Sequence, residues 1–153
     1  MYHIVDIIVI RHIADFPKIV PHQRFIDFLY LHLGEFRDSK EDISKAIDYA
    51  FSTDDGKGGF LLLALDKGII VGEVVVNDSG MSGYIPEHVL VFIAVEKKYR
   101  GKGIGKQLLE KVIKECDGDI SLHVEYDNPA FDIYKHIGFK SKYAEMRYTK
   151  KGV

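Results

Sequence analysis

The sequence predicts an α/β fold of the α+β type: one domain with a mixed, twisted sheet of about six to seven strands and about four flanking helices, in the order βααβββαβαβ. Three observations predict it. Short runs rich in valine and isoleucine alternate with segments whose apolar residues recur at helical spacing. Two apolar runs are joined by nothing longer than Asp66-Lys67-Gly68, which reads as a hairpin. Val89 to Val95 is an unbroken apolar stretch, as expected of a mid-sheet strand buried on both faces. The chain has 153 residues, one domain's length, and shows no repeat, low-complexity tract or linker, so residues 1–153 are read as a single domain.

Ile4 to Ile13 reads as the first strand. Asp15 and Pro17 then open a helical region that turns Phe25, Phe28, Leu29 and Leu33 inward and ends at Gly34. Ser39-Lys40-Glu41-Asp42 is a variant of the capping box, and Ile43, Ala46, Ile47, Ala50 and Phe51 follow at helical spacing. After the Gly- and Asp-rich loop 53–59, Phe60 to Leu65 and Ile69 to Val76 form the hairpin, and residues 77–88 form a loop before the buried strand. Ile104, Leu108, Leu109, Val112, Ile113 and Cys116 mark one face of a third helix. Ile120 to Tyr126 is a strand, Ala130 to His136 a short helix and Phe139 to Tyr148 a last strand.

Composition narrows the function. With 21 basic against 23 acidic residues the molecule has no overall field to hold nucleic acid or an acidic membrane, so any anion must be bound by a local cluster. No stretch approaches the roughly 20 apolar residues of a spanning helix, and no secretory signal pattern is visible, which makes a cytoplasmic setting the expectation. The single cysteine, Cys116, falls on an apolar helix face and is read as a core residue. The seven histidines show no close paired spacing, so no metal is expected.

The local cluster begins where the buried strand stops. In Arg100-Gly101-Lys102-Gly103-Ile104-Gly105-Lys106 the glycines allow a sharp turn and close approach to a bound group, while the first amides of the following helix lack internal partners. Such amides bind anions, and Lys97, Lys98, Arg100, Lys102 and Lys106 surround them with cations. A pyrophosphate is the matching guest. The spacing excludes a Gly-x-x-x-x-Gly-Lys-Ser/Thr loop, and Lys106 excludes Gly-x-Gly-x-x-Gly.

These residues resemble the signature loop of the GNAT superfamily of acetyl-CoA-dependent N-acetyltransferases. Its Gln/Arg-x-x-Gly-x-Gly/Ala pattern is met by Arg100-Gly-Lys-Gly103-Ile-Gly105. Leu122 to Phe139 is similar to the family's later block, with Asn128 after the strand, Tyr134 on a short helix, and Gly138-Phe139 behind it. The resemblance implies acetyl-CoA as co-substrate, contacted by Ile93, Ala94, Val95, Arg100, Gly101, Lys102, Gly103, Ile104, Gly105 and Lys106. Asn128 either hydrogen-bonds a cofactor amide or starts the short helix, since Asn before Pro does both.

The implied reaction is direct attack of a primary amine on the thioester. It requires a positioned neutral amine, a donor for the oxyanion and a proton for the departing thiolate. Tyr134 is the candidate general acid, and a main-chain amide near Val95 the candidate oxyanion donor. Where relatives carry Glu or His on the central strand, Val89 and Val91 stand here. Glu87 is therefore the candidate base, with His88 beside it and Glu73, His123 and Glu125 behind. The acceptor is a small-molecule or peptide amine framed by loops 53–59 and 77–88 and the first two helices; Asp54, Asp55, Asp78 and Glu87 would suit a cation. Neither nucleic acid nor membrane is expected as partner, and the last strand, with Met146 and Tyr148, offers an edge for a homodimer. Two other readings stand beside this one: a non-catalytic acyl-CoA-binding or sensing module, and a nucleotide-dependent enzyme.

Overall fold

A computed structural model describes residues 2–18 and 20–151. Strand β1 (Asp6–Ile10) is followed by helices α1 (His22–His32) and α2 (Lys40–Phe51), strands β2 (Gly59–Asp66), β3 (Ile69–Asp78) and β4 (His88–Val95), helix α3 (Ile104–Glu115), strand β5 (Ile120–Leu122) and helix α4 (Ala130–Ile137). The sheet runs β1-β2-β3-β4-β5, antiparallel except for the parallel pair β4 and β5. The Ser39 hydroxyl accepts the Asp42 amide at 3.1 Å, so the capping signal starts α2 as expected. Lys67 and Gly68, with φ of 50° and 83°, make the two-residue mirror-image turn that suits the right-handed twist of the β2–β3 hairpin.

Each face of the sheet carries its own apolar cluster. Phe25, Leu29, Ile43 and Ile47 of α1 and α2 pack on Ile10, Leu61, Leu63 and Val75. On the other face Ile104, Leu108, Leu109 and Val112 of α3, with Tyr134 of α4, pack on Leu62, Val74, Val76 and Leu90. Gly72 is what lets α3 approach so closely, because a Cβ there would meet Leu108 Cδ1 at 2.8 Å.

Four expectations from the sequence are corrected. The sheet has five strands, not six or seven, because Phe139 to Tyr148 forms no ladder; Met146 and Tyr148 are 92% and 86% exposed. Period-two alternation makes a strand only where a face is buried and a neighbour supplies hydrogen bonds, and this segment has neither. The first strand is shorter, Asp6–Ile10, since Ile13–Asp15 turns into a 3₁₀ helix held by the Asp15 carboxylate, which accepts the Arg11 and His12 amides at 3.0 Å each. The strand predicted to reach Tyr126 stops at Leu122. Finally, β4 is not buried on both faces: His88, Leu90, Phe92 and Ala94 are buried, while Val89, Val91, Ile93 and Val95 are partly open.

The cause lies in the ladders of β4. Its register against β3 shifts between Val75↔Phe92 and Val76↔Leu90, leaving Val91 as an extra residue. Such a bulge re-aims side chains. Leu90 accordingly packs with α3, whereas Phe92 and Ala94 pack with α1 and α2. On its other side β4 pairs with β5 only over His88↔Ile120, Val89↔Ser121 and Leu90↔Leu122. Past Leu90 the pairing of the two parallel strands ends, and Val91 to Ile93 line an opening.

Candidate active site

That opening leads into a cavity of about 390 Å³. One wall is β4 from Val89 to Ile93, the opposite wall is His123, Val124 and Glu125 beyond the end of β5, and the connection from α1 to α2, Leu33 and Glu35 to Asp38, forms the third side. Tyr134 comes in from α4, Asn128 from the turn before it, and Arg147 from the segment after it. Another depression, of about 410 Å³ between α1 and the β2–β3 turn, holds neither the tyrosine nor any residue of the glycine turn.

Tyr134 is 7% exposed, with its ring edge-on to Phe139 at 5.8 Å. Burial pushes its phenol up to about 12, assisted by the negative charge of Glu125. It therefore keeps its proton at neutral pH and stands in the cavity as a donor. Helix α4, which carries it, is started by Asn128, whose Oδ1 accepts the Ala130 amide at 2.9 Å. Asn128 thus serves as a helix-start residue while lining the cavity, which fulfils one of the two roles its position allowed.

At the far end of β4 the glycine turn takes the expected shape. Gly101 and Gly103 have φ of 80° and 81°, and Gly103 is the N-cap of α3. The amides of Ile104, Gly105 and Lys106 lie in the first helical turn, with no carbonyl behind them in the helix. Among the described residues, and apart from its chain neighbours, no atom lies within 4 Å of a Cβ built on Gly101, and one on Gly105 would meet only Val95 Cγ2, at 3.9 Å. Among the described residues no neighbour packed on it demands a glycine at 105. A group bound closely over the turn would, so the turn fits a diphosphate.

The cations divide into two sets. Lys97, Lys98 and Lys106 are exposed at the turn, Lys106 lying 3.8 Å from Glu110. Arg100, by contrast, braces the loop: its Nε donates to the Val95 carbonyl at 3.1 Å and its Nη2 to the His32 carbonyl at 2.8 Å. Lys102 lays its ammonium over the Tyr99 ring, 5.0 Å from the centroid.

Several expected site residues lie elsewhere. The Glu87 carboxylate accepts the Asp119 amide at 2.7 Å and the Gly83 amide at 3.1 Å, and these bonds hold it below the usual carboxylate range. A carboxylate so engaged is a poor proton acceptor, and Glu87 does not line the cavity. His88 is bracketed by Asp78 and Asp117, 2.9 Å from each ring nitrogen, and tethers the start of β4 to the loop before β5. Asp78 is thereby spent, and Asp54, Asp55 and Val95 are also outside the cavity. Glu73 is fully buried beneath α1, on the face opposite α3. Of the reserve candidates for the base, the cavity contains His123 and Glu125. The stretch Glu35 to Asp38 was not singled out by the sequence: a polar connection between helices carries no signal until the fold sets it against β4. Cys116, half-buried at the end of α3 against the apolar cluster there, has its thiol pushed up to about 12 by burial, which makes it a poor nucleophile. Among the described residues no group of three His, Cys, Asp or Glu side chains is placed to hold a metal ion, and no helix is long and apolar enough to cross a membrane.

The pairing of β4 with β5 thus ends beside a glycine-rich helix start, and a tyrosine that keeps its proton lines the gap. The family profile described as the acetyltransferase (GNAT) family matches residues 25–139, and the chain belongs to that family. Its fold is that of solved relatives, all of low identity. A ribosomal-protein-alanine N-acetyltransferase from Brucella melitensis biovar Abortus 2308 superposes with a TM-score of 0.67 at 18% identity, covering 97% of this chain and 100% of the other. A possible acetyltransferase from Clostridium difficile 630 gives 0.67 at 18% identity over 97% and 99%. A transcriptional regulator from Bacillus halodurans C-125 gives 0.63 at 18% over 96% and 100%. No curated protein matches the sequence.

Proposed function

We propose that this chain is an N-acetyltransferase that moves acetyl from acetyl-CoA to a primary amine by direct attack. The observation that carries the reading is the parting of β4 and β5 past Leu90, with Tyr134 in the gap and the glycine turn at its end. In this reading the first-turn amides of α3 and the exposed lysines take the diphosphate, and the unpaired edge of β4 takes the pantetheine arm. The oxyanion donor is a main-chain amide between Val91 and Ile93, the part of β4 that shares the cavity with Tyr134.

The acceptor enters between Glu35 to Asp38 and His123 to Glu125. Glu35, Asp38 and Glu125 favour a cation there. Of the two arginines at the rim, Arg147 is paired with Glu145 at 2.8 Å and Arg37 lies over the Tyr30 ring, its guanidinium 4.0 Å from the centroid. His123, on the cavity wall opposite β4, takes the amine proton. The amine lone pair then forms the C–N bond, the C–S bond breaks, and the Tyr134 hydroxyl protonates the departing thiolate.

The test is calorimetric titration with CoA, acetyl-CoA and ATP, followed by thiol-release assays over a panel of amines. The reading expects CoA to bind far better than ATP and at least one amine to turn over. Tyr134→Phe should lower kcat by roughly 100- to 10,000-fold, the usual contribution of a general acid, with CoA affinity unchanged. Tight CoA binding with no turnover across the panel would instead make the chain an acyl-CoA-binding module, and ATP competing at equal concentration would return the nucleotide-dependent reading.

A further inference from the structure

The glycine turn is held from outside by residues that the acetyl-transfer chemistry does not use. Pairing of β1 with β2 starts at Asp6, and the extended residues before it run to α3 instead. The His3 amide donates to the Lys102 carbonyl at 2.8 Å, inside the turn itself. Gln107, one helical turn into α3, closes the contact with a single carboxamide. Its Oε1 accepts the Val5 amide at 3.2 Å, and its Nε2 donates to the His3 carbonyl at 2.6 Å and to the Gly103 carbonyl at 3.3 Å. The Tyr2 ring lies flush on Gly103, where a Cβ would come within 2.6 Å of ring carbon Cδ2. Gly103 is therefore required by its left-handed backbone, and its bare Cα also gives the ring its seat.

We infer that Tyr2 and Gln107 are positioning residues for the diphosphate site. A turn of three glycines in five residues is intrinsically loose, and a loop that must be ordered on binding loses affinity in proportion to that cost. The clamp removes the cost in advance. It fixes the carbonyls of Lys102 and Gly103 on the side of residues 2–5, so that the amides of Ile104 to Lys106 are presented together toward the space over Gly105. Arg100 does the same from the α1 side through the Val95 and His32 carbonyls. Gln107 and Tyr2 touch neither the cavity nor the thioester end of the gap. Their effect is accordingly confined to the diphosphate end of the ligand.

The inference rests on the acetyl-CoA reading, and the experiment separates the two. Gln107→Leu and Tyr2→Ala are compared with the wild-type chain and with the conservative Tyr2→Phe, using calorimetric Kd for CoA and steady-state kinetics with acetyl-CoA and with S-acetyl-pantetheine, which has the thioester and no diphosphate. The expected result for the first two variants is a rise of about tenfold or more in Kd for CoA and in KM for acetyl-CoA, with kcat within about twofold. S-acetyl-pantetheine kinetics should be unchanged, and Tyr2→Phe should behave as wild type. CoA affinity within about twofold of wild type in both variants, or an equal loss with S-acetyl-pantetheine, would overturn the inference. Failure of the folded wild-type chain to bind CoA at all would sink the acetyl-CoA reading, and the clamp's role with it. Should Gln107→Leu not fold, Tyr2→Ala alone decides, since it removes an exposed ring and no buried hydrogen bond.

Discussion

Replacing Glu73 by Gln should flatten the pH dependence of stability above the normal carboxylate range. Glu73 sits on β3 between Leu63 and Ala94, is wholly buried, and neither carboxylate oxygen has a hydrogen-bond partner. Burial raises its pKa well above the reference value of 4.5, and the positive charge of Arg24 only partly opposes this. The folded chain thus keeps a proton that the unfolded chain releases once the pH passes 4.5. Stability is then full below that pH and falls as pH rises toward the folded value, by about 1.4 kcal/mol per pH unit for one group. For a domain of this size that is about 3 to 6 °C in Tm per pH unit. Glutamine has nearly the same shape and no proton to lose. Thermal melts of wild type and Glu73→Gln at pH 5, 6 and 7 should diverge, with the variant gaining relative stability as the pH rises above the normal carboxylate range. Parallel Tm curves across that range would show that Glu73 ionises as freely in the folded chain as in the unfolded one, and would refute the reasoning.

Three further outcomes follow from the same structure. If Tyr134 holds its proton up to about 12, it contributes no alkaline limb below about pH 10, so Tyr134→Phe should lower the pH–rate profile without moving its inflections; a shifted inflection would mean that Tyr134 titrates there. Gly59→Ala should cost roughly 3 kcal/mol or more, because a Cβ at φ 142° would sit 2.0 Å from the Val76 carbonyl oxygen; a denaturant midpoint equal to wild type would contradict the β2–β3 register at that point. Cys116, its thiol pushed up from 9.0 to about 12, should react with a disulfide reagent at pH 8 roughly a thousandfold more slowly than a free thiol, and as fast as one in denaturant; rapid labelling of the native chain would place it at the surface.

Much of the site was legible because the chemistry is local in the chain. A glycine turn and the helix it starts are neighbours in sequence, so Gly101, Gly103, Gly105 and the lysines around them carry their meaning without a fold. Tyr134, which lines the cavity, was singled out through the block that ends in Gly138-Phe139. Glu87, singled out for the opposite reason, lies outside the cavity. Nearness to β4 in sequence suggested nearness to the reaction, but the Gly83 and Asp119 amides, the latter 32 residues away, occupy its carboxylate. The same holds for Asp78, which is committed to His88.

By itself the sequence determined the helices, the hairpin, the glycine turn and the family, since each follows from periodicity, capping or a short motif. Only the tertiary structure decided where β4 loses its neighbour, which is a property of two ladders and a single extra residue, Val91. It also decided that Glu35 to Asp38 would face His123 and Glu125 across the gap, and that residues 2–5 would brace a turn about a hundred positions away. Those are contacts between segments that carry no mark of each other, because hydrogen bonds and burial depend on distance in space and composition does not record it.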